Sequence, residues 1–70
     1  MPLKKRSLKI SGHATSISLE DEFWVQLDNI AKQKQLSIPI LIAQIDEQRQ
    51  EDQNLSSAIR VYILQQLTKH

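Results

Sequence analysis

The sequence contains no cysteine, so neither a disulfide nor a thiolate metal site can stabilise the fold. Its two histidines, His13 and His70, are too few and too far apart to form a structural zinc site. Seventy residues allow a single domain, here expected over residues 1–70, whose own core contributes little net stability. Association with a second copy is therefore the remaining way to stabilise so small a core. The lack of cysteine also fits a reducing cytoplasm.

Glycine is nearly absent as well, and no long apolar run occurs. The single glycine excludes a glycine-rich phosphate loop, and the sequence has no recognisable pairing of a nucleophile with a base. No apolar stretch approaches the length of a membrane span, and residues 1–11 lack the apolar region of a secretory signal. We expect a soluble, cytoplasmic protein that is not an enzyme and needs no cofactor or metal.

Charge is unevenly distributed, although the net charge is only +1. The chain has no acidic residue before Glu20, whereas four basic residues precede it: Lys4, Lys5, Arg6 and Lys9. A basic segment on a mildly acidic body suits a polyanionic partner, because each neutralised phosphate releases counterions. A merely solvated leader is an equally good interpretation of the charge alone. Residues 1–6 are predicted to form a basic arm.

Residues 7–19 show the alternation of a half-buried strand. Thr15, Ile17 and Leu19 fall on one face, and Ala14, Ser16 and Ser18 on the other. Leu8 and Ile10 alternate in the opposite phase, so Gly12 is predicted to mark a bulge or bend. Because one strand cannot complete a sheet, we predict that two copies pair it in an intermolecular antiparallel ribbon.

Three helices are predicted to follow, over residues 21–34, 38–48 and 56–67, with a loop at 49–55. Acidic residues begin the first helix, Ser37 can cap the second, and Asn54 or Ser56 can cap the third. The overall class is mainly α. The core of the predicted dimer consists of Ile17, Leu19, Trp24, Leu27, Leu41, Ile42 and Ile45.

The polar strand face and the basic segment are the candidate functional residues. A two-stranded ribbon is narrow enough to enter the major groove, where serine hydroxyls can contact base edges. The N-terminus of the second helix, at Ser37, can hold a phosphate. Candidate DNA contacts are therefore Lys4, Lys5, Arg6, Lys9, His13, Ala14, Ser16, Ser18 and Ser37. For the strand residues the alternative is an exposed polar face without a partner. For Ser37 it is an ordinary helix cap, and for His13 a solvent-exposed position in a turn.

The stretch K-R-S-L-K-I-S-G-H-A-T-S-I-S-L-E-D-E-F-W, together with N-L-S-S-A-I-R-V-Y-I-L, resembles a bacterial subfamily of Arc/MetJ-type ribbon-helix-helix proteins. The resemblance covers Lys5 to about Leu64. It implies a dimer that reads DNA with Ala14, Ser16 and Ser18 and contacts phosphate at Ser37. The chain departs from the family at Ala14, where relatives often have arginine, and at Gln35, where many have the glycine that ends the first helix. The third helix lies beyond the minimal fold.

The expected function is that of a bacterial transcriptional regulator, a repressor that occupies a promoter as a homodimer without catalysis. The alternative is an antitoxin or another protein-interaction module, in which residues 48–70 grip a partner. The apolar, helical character of that region favours internal packing over a disordered partner-binding tail. Whether two dimers pair further is left open by the sequence.

Overall fold

A computed structural model describes residues 2–69, which form a two-stranded sheet followed by three helices. Met1, the first residue of the predicted arm, and His70, the last of the predicted domain, lie outside the described residues. The elements are β1 (Leu3–Ile10), β2 (His13–Glu20), α1 (Asp21–Lys34), α2 (Ile38–Gln48) and α3 (Leu55–Thr68). The predicted ribbon, its two following helices and the additional C-terminal helix are confirmed. Between residues 2 and 69, no helix has the length and apolar character needed to cross a membrane.

The two strands form an antiparallel hairpin within one chain. Ser11 and Gly12 make its two-residue turn with φ values of 52° and 83°. Positive φ at both central positions is the requirement of a type I′ turn, whose twist matches that of the flanking strands. The sharp turn at Gly12 therefore reverses the chain, and the predicted bulge or bend in a continuous strand is wrong.

The predicted partner of the strand is also corrected. β2 pairs along its whole length with β1 of the same chain, from Leu3 opposite Glu20 to Ile10 opposite His13. Two strands from two copies are therefore not needed to make this ribbon. The structure also differs from the basic arm predicted over residues 1–6. β1 begins at Leu3, so Lys4 to Arg6 belong to the ladder and not to an arm.

Capping residues are recognisable at the end of α1 and at the starts of α2 and α3. α1 ends at Gln35, which adopts the left-handed conformation with φ 59° and ψ 40°. The Gln35 amide donates to the Lys32 carbonyl and the Leu36 amide to the Ala31 carbonyl, at 3.1 and 2.9 Å, which is the Schellman pattern. Ser37 caps α2, and the Asn54 side chain caps α3 by accepting from the Ser57 amide at 2.8 Å.

A single apolar core lies between the hairpin and the three helices. Its thirteen buried residues come from all five elements: Ile10, Ile17, Leu19, Trp24, Leu27, Ile30, Ala31, Leu41, Ile42, Ile45, Ala58, Ile59 and Ile63. The seven residues predicted to form a dimer core are all among them, each at most 5% exposed within one chain. The prediction that they meet a second copy is corrected, because their own chain already covers them.

Candidate nucleic-acid interface

The hairpin has one face turned to the helices and one turned away from them. Cross-strand partners always have numbers of opposite parity, so odd residues of β1 share a face with even residues of β2. Ile17 and Leu19 are buried on the helix-facing side. The outward face therefore carries Leu3, Lys5, Ser7, Lys9, Ala14, Ser16, Ser18 and Glu20, with Leu3 and Glu20 at the open end of the ladder.

This outward face is polar and positively charged. Lys5 and Lys9 are exposed and lie four residues apart in β1, a span of about 13 Å along the strand. Between them, Ser7 lies opposite Ser16, and the two hydroxyl oxygens are 3.4 Å apart. Lys9 lies opposite Ala14, an exposed position with only a methyl side chain. The face thus offers two cations and a pair of hydroxyls on a surface two strands wide.

Ser7 was missed among the residues singled out from the sequence. Its position became evident only with the register, which places it at the centre of the outward face opposite Ser16. The alternation of Lys5, Ser7 and Lys9 was the available signal. It is the same period-two pattern that identified Ser16 and Ser18.

Arg6 lies on the opposite side of the hairpin from this face. Its guanidinium lies over the Trp24 ring, 4.4 Å from the ring centroid, and donates to both carboxylate oxygens of Asp28 at 3.2 and 3.3 Å. The Trp24 indole in turn donates to the Lys4 carbonyl at 2.8 Å. Arg6 therefore fastens β1 to α1 on the helix-facing side of the hairpin. The DNA contact predicted for Arg6 stays a prediction.

Lys4 and His13 also occupy positions on the helix-facing side of the hairpin. Both side chains are exposed, because Lys4 lies near the open end of the ladder and His13 beside the turn. They add to the charge and polarity around the hairpin without belonging to its outward face. The structure therefore does not bring all four basic residues of the leading segment together on one surface.

Ser18 is half-buried where the hairpin meets the start of α3. The Ser56 hydroxyl donates to the Ser18 backbone carbonyl at 3.3 Å. In a hairpin with a two-residue turn, the pair Lys5–Ser18 is a non-hydrogen-bonded pair, so this carbonyl points away from β1. The outer edge of β2 is consequently attached to α3, and Ser18 is less accessible than Ser16 or Ala14.

Ser37 lies apart from the hairpin, at the N-terminus of α2. Its exposed side chain accepts a hydrogen bond from the Ile40 amide at 3.4 Å, and Pro39 follows it in the first turn. No acidic residue occupies that first turn. The N-terminus of α2 therefore keeps its partial positive charge, and the Ser37 hydroxyl acts as an N-cap.

The first acidic residue after the basic segment is paired with an arginine of α3. Glu20, the last residue of β2, accepts from the Arg60 guanidinium at 2.9 and 3.0 Å. Hydrogen bonding from its own backbone amide, and then from Arg60, lowers the pKa of the Glu20 carboxyl from 4.5. The negative charge at this end of the hairpin is thereby paired with a cation of α3.

The comparisons with known proteins agree with this architecture. A family model described as a ribbon-helix-helix domain matches residues 3–67. Proteins of that family are typically DNA-binding transcription regulators or antitoxins, and their domains typically bind DNA as dimers through a fold that is not enzymatic. Comparison with curated proteins and with solved structures gave no match.

Proposed function

Because the chain belongs to the ribbon-helix-helix domain family, we propose that it binds double-stranded DNA through the outward face of the β1–β2 hairpin. In this proposal one chain supplies both strands of the ribbon that enters the major groove. The groove is about 12 Å wide and admits a two-stranded ribbon. The observation that carries the proposal is the outward face itself, with exposed lysines on either side of paired serines and no acidic residue between Lys4 and Leu19.

Each outward residue has a distinct task in the proposed complex. Lys5 and Lys9 neutralise phosphates at the groove edges, which supplies affinity without sequence preference. Ser7 and Ser16 meet base edges as donors or acceptors, and the Ala14 methyl suits a thymine methyl group. Hydroxyls discriminate bases poorly in comparison with a bidentate arginine. We therefore propose semi-specific binding, with Ser37 and the first amides of α2 as a separate phosphate contact.

The regulatory role follows from occupancy. A protein bound in the major groove of a promoter excludes other proteins from the same DNA, so repression requires no chemical step. The antitoxin alternative assigns the C-terminal helix to a protein partner. Ala58, Ile59 and Ile63 of α3 are buried in the chain's own core, which favours the DNA-binding role for the domain as a whole.

Titration of a fluorescent duplex of about two helical turns, roughly 20 base pairs, tests the proposal by anisotropy at several salt concentrations. The double variant Lys5→Gln, Lys9→Gln should bind more weakly, and its slope of log K against log salt should fall by about 1.8, because each phosphate contact contributes about 0.9. Ser7→Ala with Ser16→Ala should change preference among duplex sequences and leave the slope unaltered.

The matched control is Lys32→Gln with Lys34→Gln, which removes the same charge from exposed positions in the last turn of α1. Its salt slope should equal that of the unmodified protein. An equal loss of slope in the two double variants would mean that net charge alone governs binding. In that case the hairpin face would lose its assigned role.

A further inference from the structure

Within residues 3–20, one side chain on the outward face of the hairpin is a carboxylate. Glu20 is the last residue of β2 and shares this face with Ser16 and Ser18, four and two residues earlier in the strand. Its side chain is 31% exposed, so the carboxylate lies at the surface without being fully solvated. A negative charge on a surface proposed to meet phosphates costs affinity unless it is compensated.

The Glu20 carboxylate does not act as a helix cap. Glu20 is the N-cap residue of α1, a position where a short polar side chain would accept from the first helical amides, yet it makes no side-chain capping hydrogen bond. Its Oε1 instead accepts from Nε and Nη2 of Arg60 at 3.0 and 2.9 Å. Arg60 lies 40 residues away in the sequence, so the pair orients the carboxylate between two distant elements.

The carboxylate keeps the capacity to accept a further hydrogen bond. An ionised carboxylate offers about four lone-pair positions and no donor. Arg60 occupies two of them, and the backbone amide of Glu20 occupies a third. Both contacts hold the Glu20 pKa below its ordinary value, so the group stays ionised at neutral pH. The open end of the outward face therefore presents an acceptor that cannot donate.

We propose that Glu20 is a specificity-determining residue of the DNA contact, which accepts a hydrogen bond from the N4 amino group of a cytosine, and that Arg60 is its positioning residue. This inference rests on the proposed function, since it concerns the same hairpin face in the same groove. Cytosine presents its N4 amino donor in the major groove, where a glutamate is a matching side chain. Thymine presents the O4 acceptor in its place, which a carboxylate repels.

The other polar side chains of the outward face discriminate less. The hydroxyls of Ser7 and Ser16 both donate and accept, so they tolerate any base edge. Lys5 and Lys9 are assigned to phosphates, which carry no sequence information. A carboxylate only accepts, so base-edge donors attract it and base-edge acceptors repel it. Adenine N6 is a donor too, but the N7 acceptor beside it disfavours a second carboxylate oxygen.

Arg60 compensates the charge of Glu20 at this position. An unpaired carboxylate in the groove would be repelled by the phosphates of both strands, whereas the Glu20–Arg60 pair has no net charge. The Arg60 guanidinium also lies 5.7 Å from the Phe23 ring centroid, a second contact that restricts its orientation. Arg60 can therefore hold the carboxylate in place without itself touching a base.

The register gives the place of the cytosine in the site. Glu20 lies four residues from Ser16 along β2, a distance of about 13 Å. With the ribbon along the groove, and a rise of about 3.4 Å per base pair, this distance spans roughly four base pairs. The preferred cytosine should therefore lie toward one end of the footprint, roughly four base pairs from the base that meets Ser16.

Selection from a pool of duplexes randomised over roughly 20 base pairs, with sequencing of the retained fragments, tests the inference. The unmodified chain should enrich cytosine at one position toward the end of the footprint. Glu20→Gln should lose that enrichment and shift toward adenine, because a glutamine amide pairs with N6 and N7 of adenine. The proteins are compared at a temperature at which circular dichroism shows each of them folded.

Anisotropy titrations on the selected duplex give the size of the effect. Exchange of the cytosine pair for a thymine pair should weaken binding of the unmodified chain by about fivefold or more, and that of Glu20→Gln should not change in this way. Arg60→Gln should bind every duplex more weakly, because its carboxylate is uncompensated, and should still favour cytosine. A pair that served only to fasten β2 to α3 would give both variants the same change on every duplex.

Glu22→Gln is the matched control, because it removes the same charge from an exposed position in the first turn of α1. Its base preference should equal that of the unmodified chain. Cytosine enrichment that persists in Glu20→Gln, or that is absent from the unmodified chain, would overturn the inference, while the salt slope of Lys5 and Lys9 would still support DNA binding. Absence of salt-dependent binding would overturn the proposed function itself, and the role of Glu20 with it.

Discussion

Three residues with positive φ determine where the chain turns. Ser11 and Gly12 close the hairpin, and Gln35 ends α1 in the left-handed conformation. A non-glycine side chain is strained in that region by about 1–2 kcal/mol. Gln35 stands where many relatives have glycine, and its φ of 59° lies in the region that glycine adopts without strain. The Schellman hydrogen bonds of Gln35 and Leu36 nevertheless form.

Replacement of Gln35 by glycine should stabilise the fold. Gln35→Gly removes the left-handed strain while both capping amides stay in place, so the free energy of unfolding should rise by up to about 1 kcal/mol. Gln33→Gly, two residues earlier inside α1, is the control and should lower it by about 1 kcal/mol. Urea denaturation of both variants measures the two changes. Destabilisation by both would show that the conformation at residue 35 is not the strained one described.

Glu20 should make stability depend on pH in the acidic range. Its pKa is lower in the folded chain than the ordinary 4.5, so its stabilising contribution is present above the unfolded value and is lost as pH falls through the folded one. Glu20→Gln should therefore be less stable than the unmodified chain near neutral pH, and the difference should vanish in strong acid.

Urea denaturation at a series of pH values measures this difference. In an Arg60→Gln background it should shrink without disappearing, because the Glu20 backbone amide is the larger cause of the lowered pKa. A difference between the two proteins that stays constant from neutral to strongly acidic pH would contradict the assignment.

At the scale of elements, polar contacts fasten both strands of the hairpin to the helices. The Trp24 indole and the Arg6–Asp28 pair attach β1 to α1, and the Ser56 hydroxyl and the Glu20–Arg60 pair attach β2 to α3. The Arg6–Asp28 pair is about two-fifths exposed on both sides, so its ionic contribution is small, about 1 kcal/mol or less. Burial of Ile17 and Leu19 under the hairpin supplies the larger share.

Ile17→Asp should prevent folding. Ile17 is 2% exposed, and an unpaired carboxylate in that position costs several kcal/mol, comparable with the roughly 3–5 kcal/mol that so small a core supplies. Ser16→Asp introduces the same charge at the neighbouring, exposed position and should leave the fold intact. Circular dichroism with thermal melting distinguishes them. A cooperative melt of Ile17→Asp close to that of the unmodified chain would contradict the hairpin register.

Helix boundaries were the features most readily predicted, because they depend on local chemistry. The acidic first turn of α1, the Ser37 cap with Pro39 after it, and the Asn54 cap are each visible in a few residues of sequence. The core residues followed from helical and strand periodicity. Their enclosure in one chain did not follow, since a sequence gives the apolar face of an element but not which chain covers it.

The hairpin was misread from a signal that was present. Leu8 and Ile10 alternate out of phase with Ile17 and Leu19, and a two-residue turn at Ser11–Gly12 produces that change of parity when strands fold back. Ser-Gly is a weaker hairpin signal than Asn-Gly or Asp-Gly, because serine adopts positive φ less readily. The change of phase therefore predicts a bulge at Gly12, where the structure has a two-residue turn. Which face of the hairpin carries Lys4, Arg6 and Ser7 depends on the register, which the sequence alone does not give.

For the whole molecule, one chain encloses its own core. The radius of gyration is 11.5 Å, close to the roughly 11 Å expected of a compact domain of this length. The basic face of the hairpin lies outside that core. The proposed DNA contacts of the ribbon lie on the hairpin face alone, so they can be removed by substitution without a change to the core.

The most direct measurement is a titration of the ¹⁵N-labelled chain with duplex DNA, followed by amide chemical shifts in low and physiological salt. The amides of Lys5, Ser7, Lys9, Ala14 and Ser16 should shift together as DNA is added, and the shifts should recede as salt rises. Shifts concentrated on the helices, with the outward hairpin residues unmoved, would contradict the account.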